Sequence, residues 1–357
     1  MSTKPLVFSF FSGAGFLDLG FEKNGFEIAY VNEIHTPFLE AYKHSRLKLN
    51  IPPPKYGYHN GDIGELLSKN SNTMADLMKN AKLSSDLVGF IGGPPCPDFS
   101  VGGKNKGENG ENGKLSKTYV QLICEQKPDF FIFENVKGLY RTAKHRAFFD
   151  TLKKMLAKAG YKCTERLINS IEYGVPQDRE RIILFGTRDK GIEKFNWNLD
   201  IKFPDRSAFD HEWPDTAGEE WNLLNHPNIP RELMIEHWFK NNDVTNHPNS
   251  LDYFTPRAGL VKFQTIVEGD VSRKSYKRLH RWRYSPTAAY GNNEVHIHPI
   301  LPRRISVSEA LAIQSLPKEF ELPESMSLTN MFKTVGNGVP FLAAKGIASS
   351  VKDFLGA

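Results

Sequence analysis

Apolar residues run almost without a break through residues 5–11 (PLVFSFF), the pattern of a strand covered on both faces. Gly13 and Gly15 then mark a turn, helical spacing runs from Leu17 to about Asn24, and Gly25 stops it. Residues 27–32 (EIAYVN) predict a second strand. Strand, glycine turn, helix and strand open a doubly wound α/β sheet, mostly parallel. The alternation continues with a strand at 86–91, a helix at 118–126, a strand at 129–134, a helix at 147–159 and a strand at 180–186. Residues 102–114 (GGKNKGENGENGK) carry no apolar anchor and predict a mobile loop.

The alternation is lost from about Arg188 to about Pro302, where Pro, Asn, His and Trp become common. That stretch predicts a smaller, irregular, partly β domain. Helical character returns at 306–315 and at 339–354. Composition adds little to this division. Charged residues make up 24 % and hydrophobic residues 39 %, an ordinary globular balance. A net charge of +5 permits a nucleic-acid partner without demonstrating one. The three cysteines, Cys96, Cys124 and Cys163, have no paired spacing, which argues against a disulfide framework or a zinc site and for a reducing cytoplasm. No apolar run approaches the roughly 20 residues that span a bilayer.

Chemistry enters at strand ends. The turn at residues 11–15 (FSGAG) lets backbone approach a ligand closely and opens a helix whose first N–H groups are free. Glu33 ends the next strand, where an acidic residue can hold a ribose. The same turn suits a nicotinamide or flavin nucleotide, or no ligand. Cys96 stands between Pro95 and Pro97 after a strand, a stiff setting suited to a thiolate nucleophile. Cys124 and Cys163 read as inert core cysteines. Glu134 ends an apolar strand, where burial raises a carboxyl pKa and lets it donate or share a proton. Arg179 and Arg181 alternate on one side of an extended segment, where they can hold a carbonyl or phosphate or make surface ion pairs.

In chain order these segments resemble the DNA cytosine-5 methyltransferase family over nearly the whole chain. FSFFSGAGFLDLGFE is similar to its cofactor loop, GGPPCPDFS to its nucleophile loop, FENVKGL to its Glu-Asn-Val motif and QDRERIILFG to its Gln-x-Arg-x-Arg motif. Residues 303–317 (RRISVSEALAIQSLP) and 336–340 (GNGVP) are similar to its last two motifs. The chain departs from the family at Pro97 and Asp98, where Gln is frequent after the cysteine, and at Phe16, where glycine is common. The resemblance implies a Rossmann-like S-adenosylmethionine-dependent fold. It implies a catalytic and cofactor-binding domain from residues 1–187 and 318–357, a target-recognition domain at 188–302 and a hinge motif at 303–317. It assigns Cys96 as nucleophile, Glu134 as the acid at N3 of the base, Arg181 to its O2 carbonyl and Arg179 to support. It assigns Phe11, Gly13, Gly15, Phe16, Leu17, Glu33, Asp62, Ile63, Asn337 and Val339 to S-adenosyl-L-methionine. Alone, Asp62 reads equally as a helix cap and residues 336–338 as a turn.

The target carbon of such a reaction lies inside the DNA stack, so the cytosine must be flipped out of the duplex. Lys104, Lys106 and Lys114 would meet phosphates from the predicted loop. The segment 273–283 (RKSYKRLHRWR) holds Arg273, Lys274, Lys277, Arg278, Arg281 and Arg283, with aromatics between them and no acid. It predicts phosphate anchoring and some base reading, against the alternative of a solvated charged face. Thr287 resembles a family position near the flipped nucleotide. His296 and His298 have no acid or cysteine cluster to make a metal site. The expectation is a monomeric, stand-alone prokaryotic or phage modification enzyme in the cytoplasm, acting on duplex DNA and paired with a restriction endonuclease. A tRNA-methylating enzyme of the same fold, a nucleotide-dependent oxidoreductase and a catalytically dead DNA-binding module are the alternatives. The oxidoreductase leaves Cys96, Glu134 and both arginines unexplained.

Overall fold

The computed structural model describes residues 4–95, 111–189, 191–214, 223–256, 259–273, 275–287, 290 and 294–357. In chain order the first part holds β1 (Leu6–Phe10), α1 (Phe16–Glu22), β2 (Glu27–Asn32), α2 (Thr36–Lys48), β3 (Tyr58–His59), α3 (Thr73–Ser84) and β4 (Val88–Gly92). Next come α4 (Glu111–Gln126), β5 (Phe130–Val136), α5 (Gly138–Arg141), α6 (Ala143–Lys158), β6 (Lys162–Asn169), β7 (Gln177–Asp178) and β8 (Glu180–Thr187). Seven of these strands form one sheet in the order β3-β2-β1-β4-β5-β8-β6. The pairs from β3 to β5 are parallel, while β8 runs antiparallel to both of its neighbours.

Alternation along β1 explains its central place. Leu6, Phe8 and Phe10 face a core shared with α3, α4 and α6, and Val7 faces a second core on the opposite side of the sheet. Both faces are covered, so the strand reads as a continuous apolar run. The chain goes to one side of β1 for β2 and to the other for β4. This reversal leaves a crevice beyond the strand ends, where ligands bind in open α/β sheets. The glycine turn, Glu33, Gly93 and Glu134 all lie at that edge.

The strands at 27–32 and 180–186 fall where the hydrophobic pattern predicts them, within a residue. Helix α4 differs: it starts at Glu111, inside the stretch predicted as loop, because Leu115, Tyr119, Leu122 and Ile123 give residues 111–126 an apolar face. Residues 102–110 lie outside the described residues.

Beyond β8 the elements are short: α7 (Ile235–Asn241), α8 (Leu260–Thr265), β9 (Lys277–Arg278), β10 (Ser285–Pro286) and β11 (His296–Ile297). Three helices follow, α9 (Val307–Ile313), α10 (Leu328–Asn337) and α11 (Phe341–Leu355). The short elements are organised around Arg278. Its Nε donates to Ile266 O at 2.7 Å, its Nη1 to the carbonyls of His298 (2.9 Å), Pro299 and Leu301 (both 3.3 Å), and its Nη2 to Phe263 O. At 5 % exposure it is an interior clamp, which corrects its assignment to DNA. A guanidinium satisfies many carbonyls at once where no regular ladder does so.

Residues 303–317 touch both the short elements, through the bridge of Arg304 with Ile297, and α10. Arg303 grips Glu309 through two bonds of 2.9 and 2.7 Å, and Ser306 and Glu309 form a capping box on α9. Gln314 Nε2 donates to Val335 O, and Gln314 O accepts from Phe341 N. Replacement of Arg278 by Ala should lower stability by about 3 kcal/mol, because several buried carbonyls lose their donor together. Denaturant unfolding checks this; an unchanged midpoint would count against the clamp.

Candidate active site

Glu134 sits near the carboxyl end of β5, 8 % exposed. In the register of β5 and β8 it faces Ile183, and Arg181 faces Val136, so Arg181 lies two residues along on the same face. Arg181 Nε is 3.0 Å from Glu134 Oε1. Burial pushes the Glu134 carboxyl above its ordinary value, opposed by the charges of Arg181 and Arg179. The second carboxylate oxygen presses on the end of β4: a Cβ at Gly93 would lie 2.5 Å from Glu134 Oε2. Any side chain there would push the Glu134 carboxylate from its place. Asn135 Nδ2 donates to Pro94 O at 3.3 Å and ties β5 to the segment that leads to Pro95. The next residue in the sequence, Cys96, lies outside the described residues.

Arg179 is buried at 1 % exposure. Its backbone N–H donates to Asn169 Oδ1 at 3.0 Å, and its Nη2 donates to Gly336 O at 2.6 Å. It therefore bridges the sheet to the end of α10. Arg181 lines a cleft of about 200 Å³ with Val136, Lys137, Gly138, Arg141, Glu180 and Thr287. Thr287 is held there by donating its hydroxyl proton to Asp178 O, where β7 and β10 pair. Lys137 and Arg141 were not anticipated from the sequence. The signal available was their position directly after the Glu-Asn-Val motif.

The glycine turn forms the other half of the site. Phe11 (φ 54°), Gly13 (55°) and Gly15 (80°) take left-handed backbone conformations in succession. Glu33 is buried, with Oε2 accepting from Gly13 N at 2.9 Å and Oε1 from His35 N at 2.8 Å. Residues 336–339 fold back against this turn, since the Phe16 ring packs on Gly338 and Gly13 faces Thr334. Val339 is buried and Asn337 exposed. The Ser12 hydroxyl is buried without a hydrogen-bond partner among the described residues. An unpaired hydroxyl in a turn walled by Glu33 and α10 fits a polar nucleotide-type group.

Three assigned residues also have packing or capping partners within the chain. Phe16 is 2 % exposed and meets Phe320 edge-on at 5.1 Å, so it buttresses the turn from the core side. Ile63 is buried in the sheet core. Asp62 is exposed and caps the turn that follows it, accepting from Gly64 N at 2.6 Å. The basic segment is only partly available to a ligand. Arg281 makes a two-pronged pair with Glu268, with contacts of 2.6–3.1 Å. Arg283 donates to Pro214 O at 3.1 Å, and Arg273 lies 3.5 Å from Asp270. Lys277 is half-buried on β9. Lys104, Lys106 and Lys274 lie outside the described residues. Cys124 and Cys163 sit in or against the core, and burial pushes the Cys163 thiol up to about 12.

The crevice at the strand ends, its glycine turn and acidic wall, and the buried acid–arginine pair beside it define an α/β enzyme that brings a nucleotide-type cofactor to a second substrate. The chain belongs to the C-5 cytosine-specific DNA methylase family, whose profile matches residues 6–353, and it is a DNA cytosine methyltransferase that uses a methyl donor. It is 65 % identical over 357 residues to the Type II methyltransferase M.NmeDI of Neisseria meningitidis serogroup C, covering 99 % of this chain and 84 % of that one. It is 32 % identical to the Type II methyltransferase M.FnuDI of Fusobacterium nucleatum, over 98 % and 94 % of the two chains. The fold is that of the S. pombe Dnmt2 methyltransferase, with a TM-score of 0.65 at 12 % identity over 99 % of this chain and 100 % of that one. No described helix is long and apolar enough to cross a membrane.

One titration follows from the packing beneath the turn. Asp18 is buried, accepts from Ser9 Oγ at 2.9 Å, and has its pKa raised by burial from 3.8 to about 6, with Arg46 opposing. A raised carboxyl pKa contributes stability that is full below pH 4 and lost as pH rises through 6. Asp18→Asn, uncharged throughout, should therefore gain stability over the wild type between pH 4 and pH 7, by up to about 3 kcal/mol. Unfolding curves across that range check the sign.

Proposed function

We propose that the protein transfers a methyl group from S-adenosyl-L-methionine to carbon 5 of one cytosine in a duplex DNA sequence, after that base is flipped from the stack. The observation that carries this reading is the buried Glu134–Arg181 pair, 3.0 Å apart, beside the end of the strand that leads to Cys96.

Carbon 5 of cytosine is a poor nucleophile until something adds at carbon 6. The Cys96 thiolate forms a bond there, and the ring electrons move toward N3. Glu134, with its carboxyl raised by burial, places a proton at N3 and prevents charge from accumulating on the ring. Arg181 directs its guanidinium at the O2 carbonyl and holds Glu134 in place, while Arg179 braces the strand behind it. The enamine so formed is nucleophilic at carbon 5, and the bound cofactor supplies an electrophilic methyl group. A base then removes the carbon-5 proton, its electron pair forms the carbon 5–carbon 6 double bond and expels the Cys96 thiolate, and the N3 proton returns to Glu134. Glu33, the glycine turn with Phe11, Gly13, Gly15 and Leu17, and the 336–339 segment would hold the cofactor. Asp62 would meet its adenine amine from the exposed side of its cap. Arg141 and Thr287 ring the cleft beside Arg181, with Lys137 paired to Glu180 at its wall, and suit the phosphates that flank a flipped nucleotide.

The Type II methyltransferases M.NmeDI and M.FnuDI, among other such relatives, support a role in a restriction-modification system, in which a bacterial genome is shielded in the cytoplasm from a nuclease of the same specificity. Bisulfite sequencing of DNA from cells expressing the protein should show one recurrent methylated sequence. Cys96→Ser should abolish methylation and leave DNA binding intact, and Glu134→Gln should lower kcat by about 10²–10⁴. DNA containing 5-fluorocytosine should become covalently linked to the wild type through Cys96. Normal turnover by the Cys96 variant would overturn the mechanism, and equal labelling of tRNA and duplex DNA would overturn the substrate.

A further inference from the structure

Arg46 is outside every motif described above, yet at 2 % exposure it is among the largest buried side chains of the described residues. It projects from the last turn of α2 to the back of the glycine turn. Its Nη2 donates to Gly15 O at 2.7 Å, and its Nη1 donates to Ala14 O at 3.5 Å and Ser45 Oγ at 3.3 Å. Its Nε faces both carboxylate oxygens of Glu22 on α1, at 3.1 and 3.0 Å. The guanidinium lies 4.2 Å from the centre of the Tyr42 ring. Gly15 rests directly on this pair: a Cβ there would lie 2.5 Å from Tyr42 and 2.6 Å from Arg46 Nη2.

A buried ion pair is a poor device for stability alone, because desolvation offsets its attraction and apolar residues of similar volume do as well. What an arginine adds is a rigid planar fork that fixes several acceptors in relation to one another. Here the fork fixes two consecutive carbonyls of the turn. The opposite side of the turn is fixed by Glu33 through Gly13 N, and Glu33 is bonded in turn to His35, immediately before α2. One helix thus grips the turn at both of its ends.

We propose that Arg46 is a positioning residue for cofactor binding: from behind, it holds Ala14 and Gly15 in the left-handed turn that receives S-adenosylmethionine. The proposal rests on the cofactor reading given above. It is tested on the full chain by titrating S-adenosylhomocysteine calorimetrically in the absence of DNA, with DNA affinity and thermal midpoint measured in parallel. Arg46→Met combined with Glu22→Leu and Asp18→Asn removes the three coupled charges and leaves none of them buried alone. This variant should bind S-adenosylhomocysteine about tenfold more weakly or worse, a loss of about 1.4 kcal/mol. DNA affinity should stay within about twofold. The cofactor KM should rise about tenfold while kcat at saturation falls less than about threefold, the split expected when only ground-state binding is lost. Arg46→Lys keeps the charge without the fork and should fall between this variant and the wild type.

A folded variant with wild-type cofactor affinity overturns the proposal. So does a parallel loss of cofactor affinity, DNA affinity and thermal midpoint, or failure of both variants to fold, since each marks general structural support. A wild-type chain that binds no S-adenosylhomocysteine overturns the reading of the pocket itself.

Discussion

A carboxylate and a guanidinium in contact inside the protein, Glu134 and Arg181, set the requirement that the surrounding sheet meets. Either charge alone in that setting would be several kcal/mol out of balance. Both must arrive on the same face at the same edge of the sheet, and the direction of β8 accomplishes this. Because β8 runs against β5, the end of one strand meets the beginning of the other, and residues from two distant segments become diagonal neighbours. A parallel strand in that place would carry its first residues to the opposite edge. The reversed strand in an otherwise parallel sheet thus has a chemical consequence. Gly93 and Asn135 extend the same arrangement to β4, one by leaving room for the carboxylate and the other by binding the Pro94 carbonyl.

Around this centre the molecule relies on side chains that satisfy backbone groups where regular structure does not. Arg278 does so for the short elements after β8, Arg179 for the end of α10, and Arg46 for the glycine turn. Each places a buried cation among carbonyl oxygens. Irregular segments leave carbonyls without ladder partners, and a guanidinium has five N–H groups to offer them. A mildly basic composition is therefore an ambiguous sign of nucleic-acid binding in this chain.

That ambiguity marks where the sequence is legible. The strands at 6–10, 27–32, 130–136 and 180–187 were legible because both of their faces are buried and their apolar runs are unbroken. The crevice was legible for a related reason: glycine, Glu33 and Glu134 stand out at the ends of such runs. Helix α2 was not, since the buried Ser45 and Arg46 interrupt its apolar face. Helix α10 was obscured by Gly336 and Asn337, which read locally as a turn. The basic segment looked uniform because periodicity does not reveal whether an arginine points to solvent or to carbonyls 12–23 residues away in the chain. Phe16 was hidden similarly: its place in the cofactor motif gave no sign that the ring would turn toward Phe320.

The bond from Arg179 to Gly336 joins positions 157 residues apart, and the Phe16 ring rests against Gly338, more than three hundred residues further along. One wall of the crevice thus comes from the beginning of the chain and the other from α10. During synthesis the first wall emerges from the ribosome long before the second. Until residues 328–339 have followed, the glycine turn faces no opposing surface, and the strand bearing Arg179 lacks its anchor. The pocket is completed last, by the same stretch of chain that leads into α11, whose Ala343, Ala344, Ile347 and Val351 cover one face of the sheet.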